Sequence, residues 1–530
     1  MSNANSDQPS RRDVLLSATA GGLLLAKAAH AREAGPVVKT ANGRVRGYSD
    51  GPVKIFKGIP YAGPTGGSHR WSAPTKPASW TGVRDATVLG SRCPQTAEDL
   101  IPEVASSITG EPMDEDCLRL NVWTPAVGAG KRPVMVWFHG GGYQTGSGGS
   151  PRYDGSNLAR KRDVVVVTVN HRLNVFGYLY LAELGGERYA DSGAAGILDL
   201  VAALQWVRDN ISEFGGDPGN VTIFGESGGG GKVTTLMGSP AARGLFHKAI
   251  AQSGIAMRHN TTGSATEAAG RLLDKLGLQP SQVSQLLTLP YQRILSVISS
   301  DAMRGFSPVV DGRTIPAHPF DPAAPSVSAH VPLILGSNLT ETTFMKATPL
   351  DPIDDQELLA RVKANARADG VQAENLVALY RRTNPGAPNH LIYQLISTDV
   401  WLTVNVATAA ERRAALGAAP TYVYHFRKPT PVRDGKLNVP HTLDIAYVFD
   451  NINISEAMTG QGPDKHALAD TMSHAWTNFA RTGNPNAEGL PSWPAYDAAR
   501  RSVMVFNDRS QILNDPRREE RLAIAALGLR

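Results

Sequence analysis

Three short apolar runs restrict what this chain can fold into more than any other feature. Pro133–Phe138, Val164–Val169 and Val221–Phe224 are too short for buried helices and lack the alternation of a strand with one wet face. Runs of this kind suit strands covered on both sides, as in a parallel sheet with helices on each face. Between the second and third, Leu200, Leu204, Val207 and Ile211 recur at helical spacing and predict a helix over Leu198–Ile211. Strands alternating with helices point to an α/β fold built on a large, mostly parallel, doubly wound sheet. Val331–Leu335, Thr421–Phe426 and Ser502–Phe506 read as later strands, with a helix over Ala467–Arg481. Val37–Val38 and Gly43–Gly47 read as a hairpin turning at Asn42-Gly43. Residues 351 to 416 carry mainly helical patterns, broken at Asn384-Pro385-Gly386. They read as a helical insertion over the functional edge of one domain spanning 32–530, since large α/β chains grow by decorating a single sheet.

Residues 1 to 31 read as a leader. Arg11-Arg12 precede an apolar run from Val14 to Leu25, and Ala29-His30-Ala31 offers a small-x-small cleavage site. The run is shorter than the roughly 20 residues that span a bilayer. The paired arginines resemble a twin-arginine export signal, which predicts a periplasmic or extracellular protein. No other segment reads as a membrane span. The formal charge of +5 is spread among acidic residues, with no basic stripe and no interleaved aromatics, so nucleic acid is not an expected partner. The only cysteines, Cys93 and Cys117, can close a loop in an oxidising compartment, worth about 3 kcal/mol by loop entropy.

Directly after Val221–Phe224 comes Gly225-Glu226-Ser227-Gly228-Gly229. A strand-to-helix turn this tight forces the serine into a strained backbone and lifts its hydroxyl above the sheet, with a helix N-terminus aimed at it. No G-K-[ST] follows at phosphate-loop spacing, so a nucleotide loop does not fit. Gly230 and Gly231 extend the glycine run, either to make room beside a reacting group or to let the helix approach the sheet. A second glycine run, His139-Gly140-Gly141-Gly142-Tyr143, follows Pro133–Phe138. The N–H groups of Gly141, Gly142 and Gly228 are the expected donors to a developing oxyanion.

A serine nucleophile needs a base held by an acid, each beyond a strand end on the same edge. Of 13 histidines, His441 fits by its place in the loop after Thr421–Phe426; His425 lies within that strand and His474 within a helix. Glu341 trails Val331–Leu335, while Asp311 competes for the acid role from what reads as a turn. The order serine, acid, histidine is that of α/β-hydrolases. Tyr143, Phe306, Phe344 and Trp401 are candidate pocket aromatics, although aromatics more often fill a core.

Several further segments carry a resemblance. They are Glu115–Val122, Gly58–Ala62, Asn170–Leu173, Phe214–Pro218 leading into the Ser227 turn, and Phe479–Pro485. From about Val37 to Phe506 the chain resembles the type-B carboxylesterases, the cholinesterase and para-nitrobenzyl esterase family with an α/β-hydrolase fold. The resemblance implies Ser227 as nucleophile, Glu341 as acid, His441 as base, a Cys93–Cys117 disulfide, and hydrolysis of small-molecule carboxylic esters with no cofactor or metal. Amide or carbamate hydrolysis by the same triad stays open, as does a non-catalytic adhesion role, although such relatives tend to lose the serine or histidine. Two positions depart from the family pattern: Gly228, where alanine is usual, and Tyr143, where phenylalanine is usual. The glycine triplet resembles that of enzymes accepting bulky, even tertiary, alcohol esters. The residues leave the oligomeric state open.

Overall fold

The computed structural model describes residues 35–96, 100–105, 110–298 and 305–528. The leader expected over residues 1 to 31 lies outside them. The strands are β1 (Val37–Thr40), β2 (Gly43–Arg46), β3 (Tyr48–Asp50), β4 (Val53–Pro60), β5 (Val83–Asp85), β6 (Arg119–Thr124) and β7 (Arg132–Phe138). They continue with β8 (Val165–Val169), β9 (Gly216–Glu226), β10 (Lys248–Gln252), β11 (Leu333–Asn338), β12 (Thr421–Phe426), β13 (Ser502–Phe506) and β14 (Gln511–Asn514). One sheet takes eleven of them in the order β14-β13-β12-β11-β10-β9-β7-β8-β6-β4-β3. Neighbours from β13 to β8 are parallel, and the antiparallel pairs lie at the two flanks.

The apolar runs behave as expected because both faces of the sheet are covered. Val134, Val136 and Phe138 of β7 enter one hydrophobic cluster, while Met135 and Trp137 enter the other. The Val37–Gly47 hairpin forms, but β1 and β2 join β5 in a separate three-stranded sheet. Strand β10 carries no clear signal in Lys-Ala-Ile-Ala-Gln: its small alanines fit the crowded centre of the sheet, and its polar ends hide the strand from a hydrophobicity scan.

Helices Ala195–Asn210 and Asp464–Thr482 confirm the periodic patterns with slightly shifted ends. The segment 351–416 folds into helices Asp355–Asn365, Gly370–Thr383, Asn389–Thr398 and Val404–Ala414, with one wide π-helical turn at Asp399–Thr403. They share their own apolar cluster, including Leu358, Val362, Tyr380 and Ile396, which Ile524 joins from near the C-terminus. Helix Val404–Ala414 packs on β11 and β12, and Asn389–Thr398 packs on the turn after β11. No helix among the described residues is long and apolar enough to cross a membrane.

One expectation needs correction. Cys93 and Cys117 are buried as free thiols, not as a bridge. They are in contact: a hydrogen bond with Cys93, aided by burial, raises the Cys117 thiol well above its ordinary pKa. A bridge requires an oxidant to remove two protons and two electrons, and proximity alone does not supply one.

Trp137 is fully buried where the sheet meets the second cluster, with ring centroids of Tyr153, Phe224 and Phe449 at 4.9, 4.8 and 4.9 Å. Trp137→Ala is expected to cost about 3–5 kcal/mol, read as a lowered midpoint in chemical denaturation; an unchanged midpoint contradicts this packing.

Candidate active site

Because β7, β9, β11 and β12 run the same way, their carboxyl ends reach one edge. Ser227 follows β9 directly and opens helix Gly228–Gly238. Its φ of +56° and ψ of −125° are strained for a residue with a side chain, at a cost of about 1–3 kcal/mol. Hydrogen bonds hold it there: its N–H donates to the Gln252 carbonyl at 2.8 Å, and its carbonyl accepts from the Gly231 N–H at 3.0 Å. A Cβ on Gly229 would collide with the Phe138 carbonyl, and one on Gly230 with the Gly254 carbonyl. The glycine run therefore serves close packing. Ser227 itself stays half-buried.

His441 is brought to this edge by the loop after β12. Its Nδ1 donates to Glu341 Oε2 at 2.6 Å, and both residues are almost completely buried. Glu341 is aimed by the Asn338 N–H, which donates to Oε1 at 2.6 Å. The Asn338 amide donates to the Pro440 carbonyl at 2.8 Å and fixes the histidine loop to β11. With Nδ1 committed, Nε2 is the basic nitrogen. Among the described residues it has no hydrogen-bond partner, the Ser227 hydroxyl included. Its near neighbour is Glu226 Oε1, at 3.3 Å. Asp311 instead accepts from the Arg313 and Ile315 N–H groups within its own turn. His425 is buried in β12 and accepts from Arg427 Nε through Nδ1.

Glu226 is the residue that no motif logic singles out. Its side chain is buried and neither carboxylate oxygen has a hydrogen-bond partner among the described residues. Burial raises its pKa to about 8, with Asp444 and Glu341 adding to the rise and His441 and Arg152 opposing it. Burial works the other way on His441, but Glu226 and Glu341 outweigh it and raise the imidazole to about 9. At 3.3 Å Glu226 and His441 titrate as a pair, so the last proton leaves them above neutrality. Gln252 is also unmarked in sequence. Its carbonyl pins Ser227, while its side chain bonds Asp444 at 2.9 Å and Trp476 at 3.1 Å. Tyr424 completes that buried network with a 2.7 Å bond to Asp444.

The second glycine run curls against the elbow. Gly141 and Gly142 have φ of +83° and +60°, a region that side chains disfavour. The Gly141 carbonyl accepts from the Gln144 and Thr145 N–H groups, closing the turn. No hydrogen bond among the described residues takes up the Gly141 or Gly142 N–H. The Gly228 N–H opens a helix and has no intrahelical acceptor. A Cβ on Gly228 would collide with the Gly142 carbonyl, so the departure from alanine admits a closer loop. Gly142 and Gly228 are thus in close contact, with Gly141 beside them in the loop.

Of the four aromatics, Phe344 and Trp401 flank the imidazole, with ring centroids 4.8 and 5.1 Å from His441. Tyr143 packs edge-on to Tyr178 at 5.4 Å. Phe306 is only 5% exposed and belongs to the main core; its carbonyl, not its ring, meets the loop through the Gln144 amide.

The carboxylesterase family model matches residues 34–525. The chain is 36% identical over 498 residues to the para-nitrobenzyl esterase of Bacillus subtilis (strain 168), covering 92% of this chain and 97% of that protein. It is 35% identical over 510 residues to the liver carboxylesterase of Sus scrofa, covering 87% and 88%. Among solved structures, a carboxylesterase from Geobacillus stearothermophilus aligns with a TM-score of 0.81 at 38% identity, over 92% of this chain and 99% of that one.

The carboxylate beside Nε2 stabilises the imidazolium. Glu226→Gln is therefore expected to lower the His441 pKa from about 9 toward the ordinary imidazole value. Histidine NMR titration checks this; an unmoved or higher pKa shows that Glu226 carries no charge felt at Nε2.

Proposed function

This chain belongs to the carboxylesterase family, has its α/β-hydrolase fold and is a carboxylic-ester hydrolase; from that premise we propose that Ser227, His441 and Glu341 hydrolyse small-molecule esters through an acyl-enzyme. The observation that carries this is the buried Glu341–His441 pair, with Nε2 turned toward the serine elbow. Ser227 attacks the ester carbonyl while His441 Nε2 takes its proton. Glu341 holds the tautomer and stabilises the imidazolium. Negative charge on the carbonyl oxygen is met by the N–H groups of Gly141, Gly142 and Gly228. His441 returns its proton to the departing alcohol, then activates water to release the acid. Phe344 and Trp401 wall the base, and Tyr143 lies at the end of the glycine loop. Gly142 is exposed and brings no side chain to the cleft, which supports turnover of branched-alcohol esters.

The base works only when neutral, so its fraction grows as pH passes upward through the His441 pKa. The expected kcat/KM rises from acid pH to about pH 9. Ser227→Ala is expected to lower turnover of a chromogenic ester by about 10⁴-fold or more. A panel of primary- and tertiary-alcohol esters, with Ser227→Ala as the blank, tests both points. A serine variant that keeps its activity, or a profile flat from pH 5 to 8, refutes the triad. No turnover of any tertiary ester refutes the branched-alcohol reading.

The proposal extends to location. The Arg11-Arg12 leader supports export by the twin-arginine route. The intact mass of protein recovered from the periplasm or medium is expected to match a chain beginning near Arg32. A full-length protein confined to the cytoplasm contradicts this.

A further inference from the structure

Lys232 lies five residues beyond Ser227 on helix Gly228–Gly238 and is fully buried. An ammonium in that setting is costly unless strong partners meet it. Its Nζ donates to the His139 carbonyl at 2.9 Å. The same nitrogen lies 5.8 Å from the centroid of the Tyr143 ring, within cation–π range. His139 and Tyr143 are the residues immediately before and after Gly140-Gly141-Gly142. One side chain therefore reaches both ends of the glycine run from the helix that carries the serine.

The rest of the loop shows why that matters. Its far end is already fixed: the Tyr143 carbonyl accepts from the Asn174 N–H at 2.6 Å, and the Gly141 carbonyl closes a turn. Its near end is held partly by the His139 ring, which packs on His171 at 4.7 Å between centroids and bonds the Gly140 carbonyl through Nδ1 at 2.9 Å. The sheet ladder on β7 stops at Phe138, which pairs with Val169 and Gly225. The His139 carbonyl lies one residue past the last paired position, and Lys232 supplies a bond there. The two positive-φ glycines that follow add no side-chain anchor of their own. Burial, with Lys232 adding to it, holds the His139 and His171 imidazoles well below their ordinary pKa.

We propose that Lys232 is a positioning residue for the oxyanion loop: by holding the His139 carbonyl and the Tyr143 ring, it sets the Gly141 and Gly142 N–H groups against the Ser227 elbow. This inference rests on the acyl-transfer reading above. Loosening the loop affects the transition state, where charge sits on the carbonyl oxygen, and leaves the bound ester largely unaffected. Removing one oxyanion donor outright costs about 10²–10³-fold, so displacing the loop is expected to cost about 10- to 100-fold in kcat.

The test compares wild type, Lys232→Met and Lys232→Gln. Lys232→Met keeps the apolar stem without a donor; Lys232→Gln keeps an N–H donor without the charge. The readouts are kcat and KM on a chromogenic ester, inhibition by a trifluoromethyl ketone that forms a tetrahedral adduct, and folded content by circular dichroism. The expected result is a folded Lys232→Met with kcat down about 10- to 100-fold, KM nearly unchanged, and ketone affinity lost in parallel. Lys232→Gln should recover part of both losses, and should show the same kcat-only loss if Lys232→Met fails to fold. A folded Lys232→Met with wild-type kcat and ketone affinity overturns the proposal, as does a loss confined to KM. Loss of fold in both variants also overturns it, by making Lys232 a packing residue. If the wild-type protein hydrolyses no ester, the acyl-transfer reading itself has failed, which is a separate result.

Discussion

The contact between Gly229 and the Phe138 carbonyl sets how near the helix after Ser227 can come to the sheet. With no side chain between them, the end of β7 and the start of that helix press together. That proximity forces the strained turn at Ser227 and brings the glycine run after β7 against Gly228. The nucleophile and the amides that face it are thus positioned by one close approach of two backbones. Strain at Ser227 persists because the surrounding backbone hydrogen bonds, to Gln252 and from Gly231, leave the chain no relaxed alternative.

The electrostatics follow from burial. Glu226, Glu341 and Asp444 crowd one imidazole, and their burial makes each charge felt strongly. Glu341 has a backbone donor and a directed hydrogen bond to His441. Glu226 has neither and is pushed toward its neutral form. Two similar carboxyl groups on either side of one ring therefore do different jobs, one orienting the imidazole and the other setting when its proton leaves.

The sequence made legible what depends on neighbours in the chain. The central strands showed as apolar runs because both faces of the sheet are covered. Ser227 showed because its strand and its glycines are contiguous. Position alone distinguishes the acid and base only loosely, since Glu341 and His441 are 100 residues apart and meet only through the parallel order of β11 and β12. Long-range pairings stayed hidden altogether. Nothing near Glu226 announces that Nε2 will stand 3.3 Å away, and nothing near Lys232 announces the His139 carbonyl. Strand β10 leaves little trace in the sequence because a crowded sheet centre selects alanine, whose apolar signal is as weak as that of a loop. Phe306 shows the reverse error, an aromatic near the site in sequence logic but committed to the core.

The wide turn at Asp399–Thr403 bears on how this site can diversify. A π turn accommodates one more residue than the α-helix on either side of it, and here it displays Trp401 toward His441 and Phe344. Each α-helical residue advances the side-chain direction by about 100°. Loss of a single residue here would swing the indole away from the imidazole while the scaffold beneath stays put. The insertion thus behaves like an adjustable jaw, in which a one-codon change reshapes the wall of the cleft and leaves the reactive atoms where they are.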